Sequence, residues 1–308
     1  MSNANEGLHG VVVPVITPVD NNENVDQVAF RAVIRRCVDA GVDGIFAGGS
    51  AGMGPLLSDD QWKIAMEIAC DEVGGACALL GGAIATSTRR TVEKIRFLER
   101  VGFRHMAVTP TFYITMSDPA QFLHHFDACR QATDMDMVVY NIPSCTYSNI
   151  PLAVFEQMAE AGWYKTIKES SGDRAYFQEA LRIAHRHDLC LLQGNEPDIE
   201  WGLLAGAAGI VPVCANYEPT TYVAAWEAIN HKDLALLNSV QKRIDFIRDE
   251  LLIKSENWIA GVMYGLSTLG IGQGKTVAPL GGLSERSQKR INLLETTDIR
   301  KQAVYEAK

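Results

Sequence analysis

Apolar residues recur along the chain in two alternating rhythms. Short runs rich in β-branched residues, such as Gly10-Val-Val-Val-Pro-Val-Ile-Thr17, give way to longer stretches with apolar positions at helical spacing. The first rhythm suits strands buried on both faces, and the second suits helices with one face on a core. Runs at 10–17, 44–47, 77–81, 105–109, 137–140, 164–168, 189–193 and 209–213 predict strands. Stretches at 25–40, 58–73, 87–101, 119–132, 152–161, 173–187, 197–205 and 219–229 predict the helices that follow them. Gly41 closes the first helix, and Ser58-Asp-Asp-Gln61 reads as a capping box opening the second.

Strict alternation of strand and helix demands parallel pairing, since parallel strands need a crossover connection. Eight such couplets predict an α/β fold, a closed (β/α)8 TIM barrel, with a doubly wound open sheet as the competing arrangement. Strand signals stop after 229. Segments 232–253, 257–269 and 284–294 then read as helices. The expected division is a barrel over 1–231 and a C-terminal three-helix extension over 232–308.

At 308 residues the length fits either two domains or one barrel with an extension, so the couplets decide. A net charge of -9 without a basic run argues against nucleic acid and against an anionic membrane surface. No apolar run approaches the roughly 20 residues of a membrane span. The first six residues are neither basic nor apolar, so no signal peptide is expected. Seven scattered cysteines, an odd number without a CxxC pair, predict reduced thiols and a cytoplasmic protein.

In a parallel barrel, chemistry gathers where strands run out into the loops that follow. The run Tyr164-Lys-Thr-Ile-Lys168 puts Tyr164, Thr166 and Lys168 on one face of its strand. If that face points into the barrel, burial lowers the lysine pKa and yields a free amine near neutral pH, as Schiff-base chemistry requires. The plain alternative is a solvated lysine at a strand end. Tyr140 shares parity with Val138 and could face inward as a general acid and base. The glycine-rich loop from Gly49 to Gly52 could offer successive N–H groups to a carboxylate. Gly270-Ile-Gly-Gln-Gly-Lys-Thr276 falls short of a nucleotide loop, with Leu269 where the first glycine belongs. His124, His125, His185 and His187 lack partners at ligand spacing and are expected on the surface, not around a metal.

Tyr140-Asn-Ile-Pro143 lies one strand before Ile167-Lys-Glu-Ser170, and Gly49-Ser-Ala-Gly52 follows the second strand. Together these resemble the dihydrodipicolinate synthase and N-acetylneuraminate lyase family over nearly the whole chain. The resemblance implies a (β/α)8 barrel, class I lyase chemistry on pyruvate or a related 2-oxo acid, and neither metal nor organic cofactor. It implies Lys168 as the Schiff-base lysine and Tyr140 as the proton carrier. Gly49, Ser50 and Ala51 would hold the carboxylate of the 2-oxo acid. Ser170, Gly194, Glu196 and Val213 fall at its substrate-binding positions. Homotetramers, built as dimers of dimers, are common in the family.

Departures from the family pattern narrow the activity. The arginine that grips a second substrate in the synthases falls at Cys145, and the second hydroxyl of their GTTGE loop falls at Ala51. The tyrosine lent by a neighbouring subunit aligns with Phe112, with Tyr113 one residue on. These changes argue against a lysine-pathway synthase. Sialic acid lyases are also a poor match, because their acidic pair is reduced to Glu196 followed by Pro197 and their serine falls at Val213. The expectation is an aldolase or lyase acting on a 2-keto-3-deoxy sugar-acid-like substrate. A dehydratase using the same imine is the nearest rival, followed by a 2-oxo acid binding barrel without turnover.

Overall fold

All eight apolar runs form strands, and each strand pairs in parallel with the next until the eighth returns to the first. The computed structural model describes residues 7–296. The first six residues, read as lacking a signal segment, and the tail 297–308 of the C-terminal extension lie outside the described residues. The strands are β1 (Gly10–Pro14), β2 (Gly44–Ala47), β3 (Ala78–Gly82), β4 (His105–Val108), β5 (Asp136–Asn141), β6 (Thr166–Glu169), β7 (Cys190–Gln193) and β8 (Gly209–Ile210). The barrel is closed, so the open sheet is excluded.

Around it lie helices α1 (Gln27–Asp39), α2 (Asp59–Val73), α3 (Thr88–Val101), α4 (Pro119–Arg130), the single turn α5 (Pro143–Thr146), α6 (Leu152–Glu160), α7 (Arg174–Arg186), α8 (Ile199–Ala205) and α9 (Pro219–Asn230). The C-terminal segment forms α10 (Leu234–Arg248), a π-helical turn over Asp249–Ile253, α11 (Trp258–Thr268) and α12 (Glu285–Ile291). Among the described residues no helix is long and apolar enough to cross a membrane.

Side-chain alternation splits the core in two. One parity packs outward against the helices, while Val12, Phe46, Leu80, Val138, Tyr140 and Leu192 fill the barrel interior. Leu8 plugs the lower end, its N–H bonded to Thr166 Oγ1 at 3.0 Å. The upper end is therefore where inward side chains meet an open cavity.

Three local features differ from the sequence reading. Ser58 caps α2 by accepting from Gln61 N, but Gln61 Oε1 accepts from Val25 N at 2.7 Å, so the reciprocal half of the capping box is missing. The reciprocal box lies instead at Asp118 and Gln121 on α4. The first and eighth strands are shorter than 10–17 and 209–213. Val211 N still reaches Gln193 O, but Pro212 has no N–H, and the chain turns into a 3-10 segment over Cys214–Asn216. There the Asn216 side chain takes over from the ladder. It accepts from Ile16 N at 3.0 Å and donates to Pro14 O at 3.0 Å and Val213 O at 2.7 Å.

Candidate active site

Register places the two central groups side by side. Tyr140 on β5 pairs with Lys168 on β6, and both side chains follow the inward parity of Val138 and Thr166. Lys168 Nζ sits 3.8 Å from the Tyr140 ring centre and 5.0 Å from that of Phe46, and the two rings meet edge to face. Lys168 is 4% exposed, and burial lowers its pKa to about 7, against which the Cys145 thiol acts weakly. Aromatic faces attract an ammonium ion, yet desolvation wins here. The lysine is thus shifted towards the neutral amine near pH 7.

Burial acts on Tyr140 in the opposite sense and holds its phenol protonated, while the Ser50 and Ser170 hydroxyls draw the pKa back. The Ser170 Oγ has no partner in hydrogen-bond geometry among the described residues. Gly194 makes this crowding possible, because a Cβ there would lie 1.9 Å from Ser170 Oγ. Gly48, at φ +66, turns the chain from β2 into the glycine loop. Within that loop Met53 N bonds to Ser50 O and Gly54 N to Gly49 O. None of these bonds uses the N–H groups of Ser50 or Ala51, so both remain for an anionic ligand.

The outward parity fixes the same two strand ends from behind. Glu169 is 1% exposed and accepts from Asn141 Nδ2 at 3.1 Å and Ser171 N at 2.8 Å. Asn141 in turn accepts from Ile150 N. This cluster ties the loops after β5 and β6 together and so locks the bases of Tyr140 and Lys168.

Across the mouth, Glu196 Oε1 accepts from Cys214 N at 2.7 Å, and its buried Oε2 has no hydrogen-bond partner among the described residues. Burial raises its pKa despite that bond and the charge of Arg248. The Asn195 amide donates to Asp198 Oδ2, and Asn195 also lines the cavity. The cavity measures about 190 Å³. That is below the roughly 300–1,000 Å³ of pockets for drug-sized ligands and suits a small acid.

Of the predicted residues, Lys168, Tyr140, Ser50, Ala51, Ser170, Gly194, Glu196 and Val213 line this one cavity. Gly49 packs on the Phe46 ring below it, where a Cβ would approach to 2.7 Å. Three others lie outside the lining. Phe112 is half-buried against the barrel interior, Tyr113 is exposed with φ +79, and Cys145 is exposed. Arg248, Leu252 and Trp258 also line the cavity and were absent from the sequence reading. They come from the C-terminal helices, whose reach over the barrel mouth leaves no signal in strand periodicity.

His125 is a correction: it is not on the surface. It is 1% exposed, with Nδ1 against Thr88 Oγ1 and Nε2 against Thr109 O, both at 3.0 Å, and burial lowers its pKa to about 4. His187 meets Glu156 at 2.6 Å. Among the described residues no group of three or more His, Cys, Asp or Glu could hold a metal ion. Gly270–Thr276 follows helix α11, not a strand.

A closed (β/α)8 barrel with a buried amine at its upper rim defines a class of protein, and comparisons with known proteins agree. The dihydrodipicolinate synthetase family matches residues 7–296. An uncharacterized DapA-like lyase of Halobacterium salinarum is 33% identical over 279 residues, covering 91% of this chain and 90% of its own. The N-acetylneuraminate lyase of Citrobacter koseri is 31% identical, covering 85% of this chain and 86% of its own. A prophage protein of the dihydrodipicolinic acid synthase family from E. coli K12, solved in complex with pyruvate, superposes with a TM-score of 0.86 at 22% identity. That superposition covers 92% of this chain and 96% of the other. The chain belongs to the dihydrodipicolinate synthetase family, and it is a carbon–carbon lyase of class I aldolase type.

Proposed function

We propose that Lys168 condenses with the ketone of pyruvate or a related 2-oxo acid and that the enzyme makes or breaks the bond to an aldehyde through the resulting imine. The observation that carries this reading is the amine of Lys168, buried, drawn to a pKa of about 7 and set against Tyr140 in a small polar-rimmed cavity. The neutral amine adds to the ketone carbon, and loss of water leaves a protonated imine. On cleavage the bonding electrons flow into that imine to give an enamine. Tyr140, left as the phenolate when its proton departs with the water of imine formation, accepts the proton of the substrate hydroxyl as the aldehyde carbonyl forms, with Ser50 and Ser170 beside it. The N–H groups of Ser50 and Ala51 hold the carboxylate.

The substrate we favour is a 2-keto-3-deoxy sugar acid or a close analogue, because Glu196 Oε2 and Ser170 Oγ are buried polar groups suited to hydroxyls and Asn195 lines the same cavity. Dehydration through the same imine is the second reading. Its support is Glu196, whose carboxyl is shifted by burial towards the protonated form that could donate to a leaving hydroxyl. The exposed Tyr113, Ile114 and Tyr147, on neighbouring loops, suit contact with another copy, and we take the assembly to be a homotetramer.

Borohydride reduction with pyruvate, followed by peptide mass spectrometry, tests the chemistry. A stable adduct on the peptide carrying Lys168, lost in Lys168→Ala, is expected. Tyr140→Phe should still trap pyruvate but turn over about 100-fold or more slowly. An adduct elsewhere, or none with any 2-oxo acid, would mean that the barrel carries the fold without this reaction. Wild-type trapping without release of an aldehyde or water from any substrate would point to a binding barrel.

A further inference from the structure

Two cationic side chains line the cavity, Lys168 at its base and Arg248 at its rim. The lysine is the reacting amine of the proposed chemistry, so Arg248 supplies the permanent charge. It is the last residue of α10, and the π-helical turn that follows brings Leu252 to the same cavity. Such turns shift the facing of a helix by a fraction of a turn and are frequent at functional sites. Trp258, opening α11, completes this wall.

The partners of Arg248 set it apart from other arginines of the C-terminal segment. Arg243 meets both oxygens of buried Glu218, at 3.0 and 2.7 Å, and Arg290 bonds to Glu250 and to backbone carbonyls. Arg248 meets Asp249 Oδ1 at 3.2 Å, its sequence neighbour and a half-exposed carboxylate. A partly exposed pair between sequence neighbours contributes little. The acidic side chain lining the cavity is Glu196, and among the described residues no ion pair joins it to Arg248. Position 145, on the loop after β5, is an exposed cysteine outside the lining.

The geometry points to Arg248 as the recognition group for a second carboxylate at the far end of the substrate, which makes the substrate a short dicarboxylic 2-oxo acid. The head carboxylate lies at Ser50 and Ala51, the ketone at Lys168, and the distal carboxylate at the guanidinium, with Glu196 between for a hydroxyl. A planar guanidinium matches a carboxylate with two parallel N–H donors. A phosphate dianion would call for more cationic charge than one arginine supplies. This inference rests on Schiff-base formation at Lys168.

The test measures half-saturating concentrations for borohydride trapping of wild type, Arg248→Gln and Arg248→Lys with 2-oxoadipate, 2-oxohexanoate and pyruvate. The first two differ only in the distal carboxylate. Wild type should favour the diacid by about 10- to 100-fold, the difference expected of a charge-assisted pair. That ratio should fall to near one in Arg248→Gln and keep an intermediate value in Arg248→Lys. Equal trapping of diacid and monoacid by wild type overturns the inference without any variant. So does a preference that survives in Arg248→Gln. Absence of a pyruvate adduct in wild type would instead remove the Schiff-base reading beneath it.

Discussion

Lys168 carries a stability penalty as well as its chemistry. Its folded pKa of about 7 lies below the ordinary value of 10.5, so the folded state binds fewer protons than the unfolded chain between those values. The penalty is full below pH 7, shrinks as pH rises, and vanishes above the unfolded pKa. Its size is on the order of 4–5 kcal/mol. Lys168→Met is therefore expected to stabilise the protein by about 2–4 kcal/mol at pH 7 while abolishing trapping. Urea denaturation at pH 7 and pH 10 checks this, because the gain should shrink at the higher pH. Activity should fall as pH drops through 7, when the amine takes up its proton. The inward facing of Lys168 and Tyr140 was legible in the sequence because alternation along a strand assigns a facing to each side chain. The bond of Glu169 to Asn141 was not, since those residues meet only once β5 and β6 pair.

At the scale of elements, the couplets reveal each strand and helix, but not how the C-terminal helices lie across the barrel mouth. That placement depends on long-range pairs. Arg243 on α10 holds Glu218 before α9, and Thr221 Oγ1 also donates to Glu218. Gln241 on the same helix accepts from Glu200 N and donates to Glu196 O. Arg243→Met would remove a cation from the Glu218 carboxylate, which is 1% exposed. A loss of about 3–5 kcal/mol follows, measurable by urea denaturation, and α10 carries Arg248 with it. The short β8 was misjudged for a local reason. Pro212 looks like any apolar residue in a hydropathy pattern, but it cannot continue a ladder.

For the whole molecule, the barrel opens its cavity at one end, and the loops after β4 and β5 at that end expose Tyr113, Ile114 and Tyr147 outside its lining. Four copies are expected to associate, and light scattering on the purified chain should give four times the monomer mass. Replacing Tyr113 and Ile114 with serine should shift that mass downward if the loop is a contact.

The Asn216 side chain, where β1 meets β8, bears on how the protein breathes and folds. β8 contributes two register pairs on each of its sides, whereas β4 with β5 and β6 with β7 contribute four. The amide of Ile16 is therefore held by a carboxamide 200 residues away instead of by a neighbouring strand. Closing so long a loop is slow in entropic terms, so this seam should zip last. It should also be the first to open in the native state. In Asn216→Ala, hydrogen exchange at Ile16 should accelerate far more than at Ile167. One amide thus serves as the latch of the cylinder.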